Sequence, residues 1–365
     1  MKLVMAMKVR DEDDVLEHNL RYHRAQGVDH FIVTDNGSSD GTPEILRRHE
    51  AEGILRVIEE PSTDAFRDQA HGWVTRMARL AATELGADWV VHADADEFWA
   101  PVGGSLKEVL ERVPAEYGVV LAPRPEFLAR PDGPAPFWER MTVREARSRL
   151  RPKVAHRADP DATLHRGAHD VDIEREEGGV RHSGRAVMRA VKSKRGAEED
   201  RLVWAPTWPA RVLHFPLRSL EQYRRKVEVT LRGGFDDKAH DELRREYEAG
   251  RLPQLYAGLL EDEESIQAGL REGRLVEDTR VREFLATEKQ PSPPPQEVER
   301  ELAEIRADTM QTLARTQRSL IRQLDAFRRR VRRQRERADR AEGRRHWTRL
   351  RNGAARLLRQ SRAER

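Results

Sequence analysis

Asp94 and Asp96 stand one residue apart directly after the apolar run Trp89-Val90-Val91-His92-Ala93. In an extended chain alternate residues share a side, so both carboxylates can face one ligand. Hard oxygen donors of this kind suit Mg²⁺ or Mn²⁺, which keep several waters and complete their shell with substrate phosphates. An ion in that position neutralises charge as a nucleoside diphosphate departs. A D-x-D triplet alone also describes an ordinary acidic loop. Its place at a strand end, with Glu97-Phe98-Trp99 following, favours the ligand-binding reading.

A second group, Asp35-Asn36-Gly37-Ser38-Ser39-Asp40-Gly41, follows another apolar run, His30-Phe31-Ile32-Val33-Thr34. A carboxylate at Asp35 could hydrogen-bond a nucleobase or ribose, and the glycines permit close approach of the backbone. The plainer alternative is a turn leading into a helix, with Thr42 as cap and Pro43 at the first helical position. Neither G-x-G-x-x-G nor G-x-x-x-x-G-K-[ST] occurs, which weighs against dinucleotide enzymes and P-loop kinases.

The elements that position these groups alternate regularly over the first 125 residues. Strands are expected at Leu3–Met7, His30–Thr34, Leu55–Ile58, Trp89–Ala93 and Gly118–Leu121, with helices over about 12–26, from Thr42, and over 66–85. Strand–helix units repeated in this way predict an α/β fold with a mostly parallel sheet and helices on both faces. Ligands then sit at the carboxyl ends of strands, which are here Arg10-Asp11-Glu12, Asp35, Glu59 to Asp64, and Asp94 to Glu97.

The ordered set Lys8-Val9-Arg10-Asp11-Glu12, Leu16-Glu17-His18-Asn19-Leu20-Arg21-Tyr22-His23, Gly27 to Phe31, Asp35 to Thr42, Gln69 and Ala87 to Phe98 resembles the glycosyltransferase family 2-like proteins. Within them it is most similar to the subgroup that includes the family 92-type enzymes. The resemblance extends to Leu164-His165-Arg166-Gly167-Ala168-His169-Asp170 and to Leu213-His214-Phe215 with Arg218-Ser219 and Lys226. It departs at Asp11, where the family usually has Asn. The resemblance implies a GT-A fold and transfer of a sugar from a nucleotide-sugar, UDP-linked on family grounds. It places Asp35 near the base, Arg10 and Glu12 on the nucleotide side, Asp94 near ribose or metal, and Asp96 on Mn²⁺ or Mg²⁺.

A later histidine is a candidate further ligand, because neutral imidazole binds such ions. His214 is the first choice and His169 the second, with a purely structural histidine as the alternative for each. Arg218 and Lys226 are candidates for a diphosphate clamp, or for a solvated helix face. An inverting transfer to a hydroxyl acceptor, such as a glycan or lipid-linked glycan of the cell envelope, needs a general base. Asp170 and Glu126 are the candidate catalytic residues for that task.

Composition sets the outer limits. The chain has no cysteine, so disulfides, thiolate metal sites and cysteine nucleophiles are excluded. No apolar run reaches about 20 residues, which points to a cytoplasmic protein, at most peripheral to the membrane. The net charge of +3 is unevenly distributed: Arg328 to Arg365 hold sixteen Arg and four acids, +12, leaving −9 elsewhere. High Arg and Ala usage suggests a GC-rich bacterial source. The domain is expected over residues 1–290, a Pro-rich linker over 291–295, and a basic helical, partly coiled-coil tail over 296–365. In the tail, Val298, Leu302, Ile305, Leu313, Leu320, Leu324, Phe327 and Val331 recur at helical spacings. This tail is read as an arm for homo-oligomers, an anchor on anionic lipid, or, least favoured, a non-specific nucleic-acid binder. Two rivals are a nucleotidyltransferase-like enzyme and a nucleic-acid- or membrane-binding scaffold with a degenerate front domain.

Overall fold

The computed structural model describes residues 1–60, 66–115, 117–165, 167–177, 180–183, 186–192, 198–204, 209–232, 238–288, 296–308 and 311; side chains of 66–71, 170, 174–204 and 238 are outside the description. The chain divides into two compact units, Met1–Thr309 and Met310–Arg365. All of the second unit except Gln311, and with it the lipid, oligomer and nucleic-acid readings of the tail, lies outside the described residues.

The alternation expected from the sequence is present as β1 (Leu3–Val9), α1 (Leu16–Ala25), β2 (His30–Asp35), α2 (Thr42–Ala51), β3 (Leu55–Glu59), α3 (Phe66–Thr83) and β4 (Trp89–Asp94). The chain continues through β5 (Glu97–Pro101), α4 (Leu106–Glu111), β6 (Val119–Ala122), α5 (Phe137–Arg140), β7 (Val143–Glu145) and β8 (Lys153–Arg157). Next come β9 (Thr163–His165), β10 (Asp170–Glu177), β11 (Val180–Ser183), β12 (Ala186–Lys192), β13 (Glu198–Trp204), β14 (Ala210–His214) and α6 (Leu220–Arg232). Last are α7 (Lys238–Glu248), α8 (Leu252–Ala257), α9 (Glu263–Arg271), β15 (Leu275–Glu277) and α10 (Arg280–Thr287).

The main sheet has the order β3-β2-β1-β4-β8-β6, with β1 to β4 parallel and β8 antiparallel to both its neighbours. β1 is buried on both faces, Leu3, Met5 and Met7 on one and Val4 and Ala6 on the other, as a parallel strand covered by helices must be. A second sheet, β13-β12-β11-β10-β9, is an antiparallel meander.

Three expectations are corrected. The first helix begins at Leu16 and not near Glu12. Residues 13–15 form a turn, and the amides leading into it are taken elsewhere: Glu12 N–H donates to Thr42 Oγ1 at 2.9 Å and Asp13 N–H to Asp40 Oδ2 at 3.1 Å. Thr42 therefore does not cap its own helix; Asp40 accepts from Thr42 N at 2.9 Å, while Pro43 does stand at the start. Finally, the compact unit does not stop at the prolines. Residues 296–308 are helical and seat Glu304 Oε2 3.0 Å from the buried Arg211 Nη2 of β14, with Ile305 fully buried. Part of the apolar spacing ascribed to a coiled coil is core packing of the first unit.

Candidate active site

Two buried side chains of α1 hold the loop between β4 and β5. Asn19 Nδ2 donates to the carbonyls of Ala95 at 2.8 Å and Glu97 at 2.9 Å. His23 Nε2 accepts from Trp99 N at 3.0 Å. These bonds fix the loop backbone from beneath, and Glu97 Oε2 accepts from Asp94 N at 2.9 Å across it.

Each of those acids has a distinct surrounding. Asp94 Oδ2 lies 2.8 Å from Lys153 Nζ and Oδ1 3.6 Å from Lys8 Nζ. Burial works against its charge, but the two ammonium groups hold its carboxyl well below the usual range. Glu97 is fully buried, with Arg124 Nη1 at 2.5 Å and Lys153 Nζ at 2.9 Å. Asp96 divides its oxygens: Oδ2 meets Lys226 Nζ at 2.9 Å and Arg218 Nη1 at 3.5 Å, while Oδ1 faces His214 Nε2 at 3.6 Å.

His214 reaches that position through strand pairing. β14 runs antiparallel to β5 with His214 opposite Glu97, and Phe215 N–H donates to Asp96 O at 2.9 Å. Its other ring nitrogen, Nδ1, is 3.1 Å from Glu126 Oε1, at an angle short of a hydrogen bond. Burial opposes its charge, yet Asp96 and Glu126 on either side lift its pKa to about 9.

Arg218 is a buried hub. Its Nε and Nη2 bind the two oxygens of Asp14 at 2.8 Å each, Nη2 also contacts Glu12, and Nη1 bonds the carbonyl of Phe215 at 3.1 Å. Burial pushes Glu12 up to about 7 in spite of this contact. From α6, Arg225 ties Asp13 at 3.0 Å to Asp40 at 2.9 Å, joining the ends of β1 and β2.

Between α6 and the carboxyl ends of β1, β2 and β4 lies a cavity of about 320 Å³. Lys8, Arg10, Glu12, Asp94, Asp96, His214, Arg225 and Lys226 all contribute to its wall. Six of the expected residues, Lys226 among them, therefore converge here, and Arg218 supports them from behind by its contacts with Glu12 and Asp96. Asp35 does not line it. Its Oδ1 accepts from Ser38 N at 3.1 Å and Ser38 Oγ at 2.6 Å, and Asn36 takes the place on the wall. His169 is also apart: Nδ1 bonds the Pro152 carbonyl at 2.9 Å, and burial beside Lys153 and Arg124 pushes its pKa down to about 3. Asp170 begins β10 opposite His165, but its side chain, like that of Gln69, is outside the described residues.

Asp11, the departure from the family pattern, adopts φ 53 and accepts Ser39 N at 2.7 Å through Oδ1. Asn and Asp are the non-glycine residues that best tolerate this left-handed region, so the exchange keeps the turn. Sequence reasoning missed Lys153, Arg124, Gln222 and Arg225. One signal was available: the chain has nine lysines among 67 basic residues, and Lys8, Lys153 and Lys226 all stand here. A chain that otherwise prefers Arg retains Lys where a compact ammonium must fit.

Residues 9–150 match the family model of glycosyltransferase family 92. That match bears out the resemblance read from the sequence, that of a glycosyltransferase, and the main sheet is α/β and mostly parallel as expected. No curated protein matches the chain. Among solved structures it is similar to S. aureus TarS 1-349 in complex with UDP-GlcNAc, at 14% identity and TM-score 0.33 over 67% of this chain and 70% of that one. The same fragment in complex with UDP gives 13% identity and TM-score 0.34 over 79% and 92%. A mycobacterial protein gives 20% identity and TM-score 0.23 over 34% and 41%.

Among the described residues no three carboxylates or imidazoles gather as one metal-binding group. The donor set at Asp96 and His214 nevertheless fits a divalent ion supported by substrate phosphates. Asp96 keeps Oδ1 toward Nε2 while Lys226 and Arg218 hold Oδ2. The imidazole between Asp96 and Glu126 favours a positive charge at that point, and an ion there would take the place of the proton on Nε2. Asp94, committed to Lys153 and Lys8, contributes negative charge nearby.

Proposed function

We propose that this glycosyltransferase moves a sugar from a UDP-linked donor to a hydroxyl of a glycan or lipid-linked glycan, with Mn²⁺ or Mg²⁺ held by Asp96 and His214. The observation that carries the reading is the meeting in one cavity of Lys8, Arg10, Asp96, His214 and Lys226, from β1, the β4–β5 loop, β14 and α6. When bound, the ion would neutralise charge on the departing diphosphate. Lys226, Lys8 and Arg10 supply further positive charge on the same wall, and Arg218 fixes Asp96 and Glu12 without itself lining the cavity. Asn36 and the neighbouring backbone suit the polar edge of the nucleoside. Asp170 is retained as the carboxylate that takes the acceptor's proton.

No described helix is long and apolar enough to cross a membrane. The +12 charge of residues 328–365 would suit a negatively charged surface bearing a lipid-linked acceptor.

Calorimetric titration with UDP, GDP and their sugar conjugates, with and without Mn²⁺, tests the reading. Binding of one nucleotide is expected to strengthen with Mn²⁺, and the increment to vanish in Asp96→Asn. Equal binding of the two proteins with and without the ion would overturn the metal assignment, and no nucleotide binding at all would overturn the donor site.

A further inference from the structure

Glu126 stands beside His214 and outside the cavity wall. The cavity wall includes His214 but stops short of Glu126. The segment carrying Glu126 lies alongside β14: His214 N donates to Pro125 O at 3.2 Å, Phe127 N donates to His214 O at 2.9 Å, and the two residues form a parallel bridge. Backbone pairing therefore delivers the Glu126 carboxylate to the ring edge of His214 that faces away from Asp96. Nδ1 has no hydrogen-bond partner among the described groups, and Glu126 Oε1 is at 3.1 Å.

An imidazole that offers one nitrogen to an ion needs its other N–H accepted, which fixes the tautomer and the ring plane. We propose that Glu126 is a positioning residue that orients His214 for the ion, and is not the base that takes the acceptor's proton. This rests on the metal reading given above.

The test compares the full chain with Glu126→Ala and Glu126→Gln, reading Mn²⁺ affinity by paramagnetic resonance titration of free Mn²⁺ and turnover of the donor in parallel. Loss of an outer partner of a ligating histidine costs about 10- to 100-fold in metal affinity, and that is expected for Glu126→Ala. Glu126→Gln keeps a carbonyl oxygen that can accept from Nδ1–H, so it should retain most of the affinity and of the turnover. This rescue separates orientation from proton transfer, since an amide cannot act as a base. Wild-type Mn²⁺ affinity in both variants, with turnover lost in both, would overturn the proposal and leave the metal site standing. Failure of the unaltered chain to bind Mn²⁺ would remove the metal reading and this inference together.

Discussion

Lys153 Nζ bridges Asp94 Oδ2 at 2.8 Å and Glu97 Oε2 at 2.9 Å, although it belongs to β8 and they flank the β4–β5 loop. The ammonium is almost wholly buried and Glu97 completely so. Two acids and a lysine out of water hold one another in place, and each is costly without the others. The loop's geometry is therefore guaranteed from the antiparallel side of the sheet.

Lys153→Met should destabilise the protein by about 3–5 kcal/mol, the usual cost of leaving a buried charge without its partner. Urea unfolding of the variant at pH 7 reads this directly. A change below about 1 kcal/mol would show that Asp94 and Glu97 find other partners.

Lys226→Ala should weaken nucleoside diphosphate binding by about ten- to a hundredfold, as expected for one charge-assisted contact. The nucleoside alone should bind both proteins alike. Titration with UDP and uridine at two salt concentrations checks it. Equal loss for both ligands would place Lys226 in the support of the fold and not on the phosphates.

Asn19→Ala touches no part of the cavity but leaves the Ala95 and Glu97 carbonyls without their donors. We expect a stability loss of about 1–3 kcal/mol and a fall in turnover larger than the fall in donor affinity. Unchanged turnover in a stable variant would mean that the loop keeps its shape by strand pairing alone.

Acidification should unfold the protein through its buried histidines. Burial pushes His23 down to about 3 and His156 to about 4, and His92, sharing a 3.0 Å contact with His156, also falls well below its ordinary value. The unfolded chain binds these protons near pH 6.5, so the stabilisation is present above that pH and is lost as pH falls toward 4. Glu12, raised to about 7, works in the opposite sense between roughly 4.5 and 7, as does His214, raised to about 9, above about 6.5. His169, pushed down to about 3, adds to the buried histidines. Urea midpoints at pH 7 and pH 5 should fall with acid, and less steeply in His23→Gln. A flat profile would sink the argument.

The parallel half of the sheet was legible because strands buried on both faces are continuous apolar runs and the acids follow them directly. Asp96 and His214 were legible as residue types, and pairing of β14 with β5 supplied the contact. What could not be read were partners separated by long stretches of chain. Lys153 meets Asp94 across 59 residues, because β8 inserts antiparallel between β4 and β6. At Asp35 the bonding within the local turn was not legible either: Ser38 bonds Oδ1, and Asn36 lines the wall beside it. Asn19 and His23 carry part of the family resemblance, yet their work is to support the β4–β5 loop from beneath.

The helix at 296–308 alters where this protein can be cut. A chain shortened at the prolines would keep every residue of the cavity, yet it would strip Glu301 and Glu304 from Arg211, a fully buried guanidinium three positions before His214 on the same strand. Water or a foreign anion would then have to enter behind β14. The smallest unit in which the site should be studied therefore ends after Asp308, where its carboxylate accepts from the Ser148 amide at 3.3 Å.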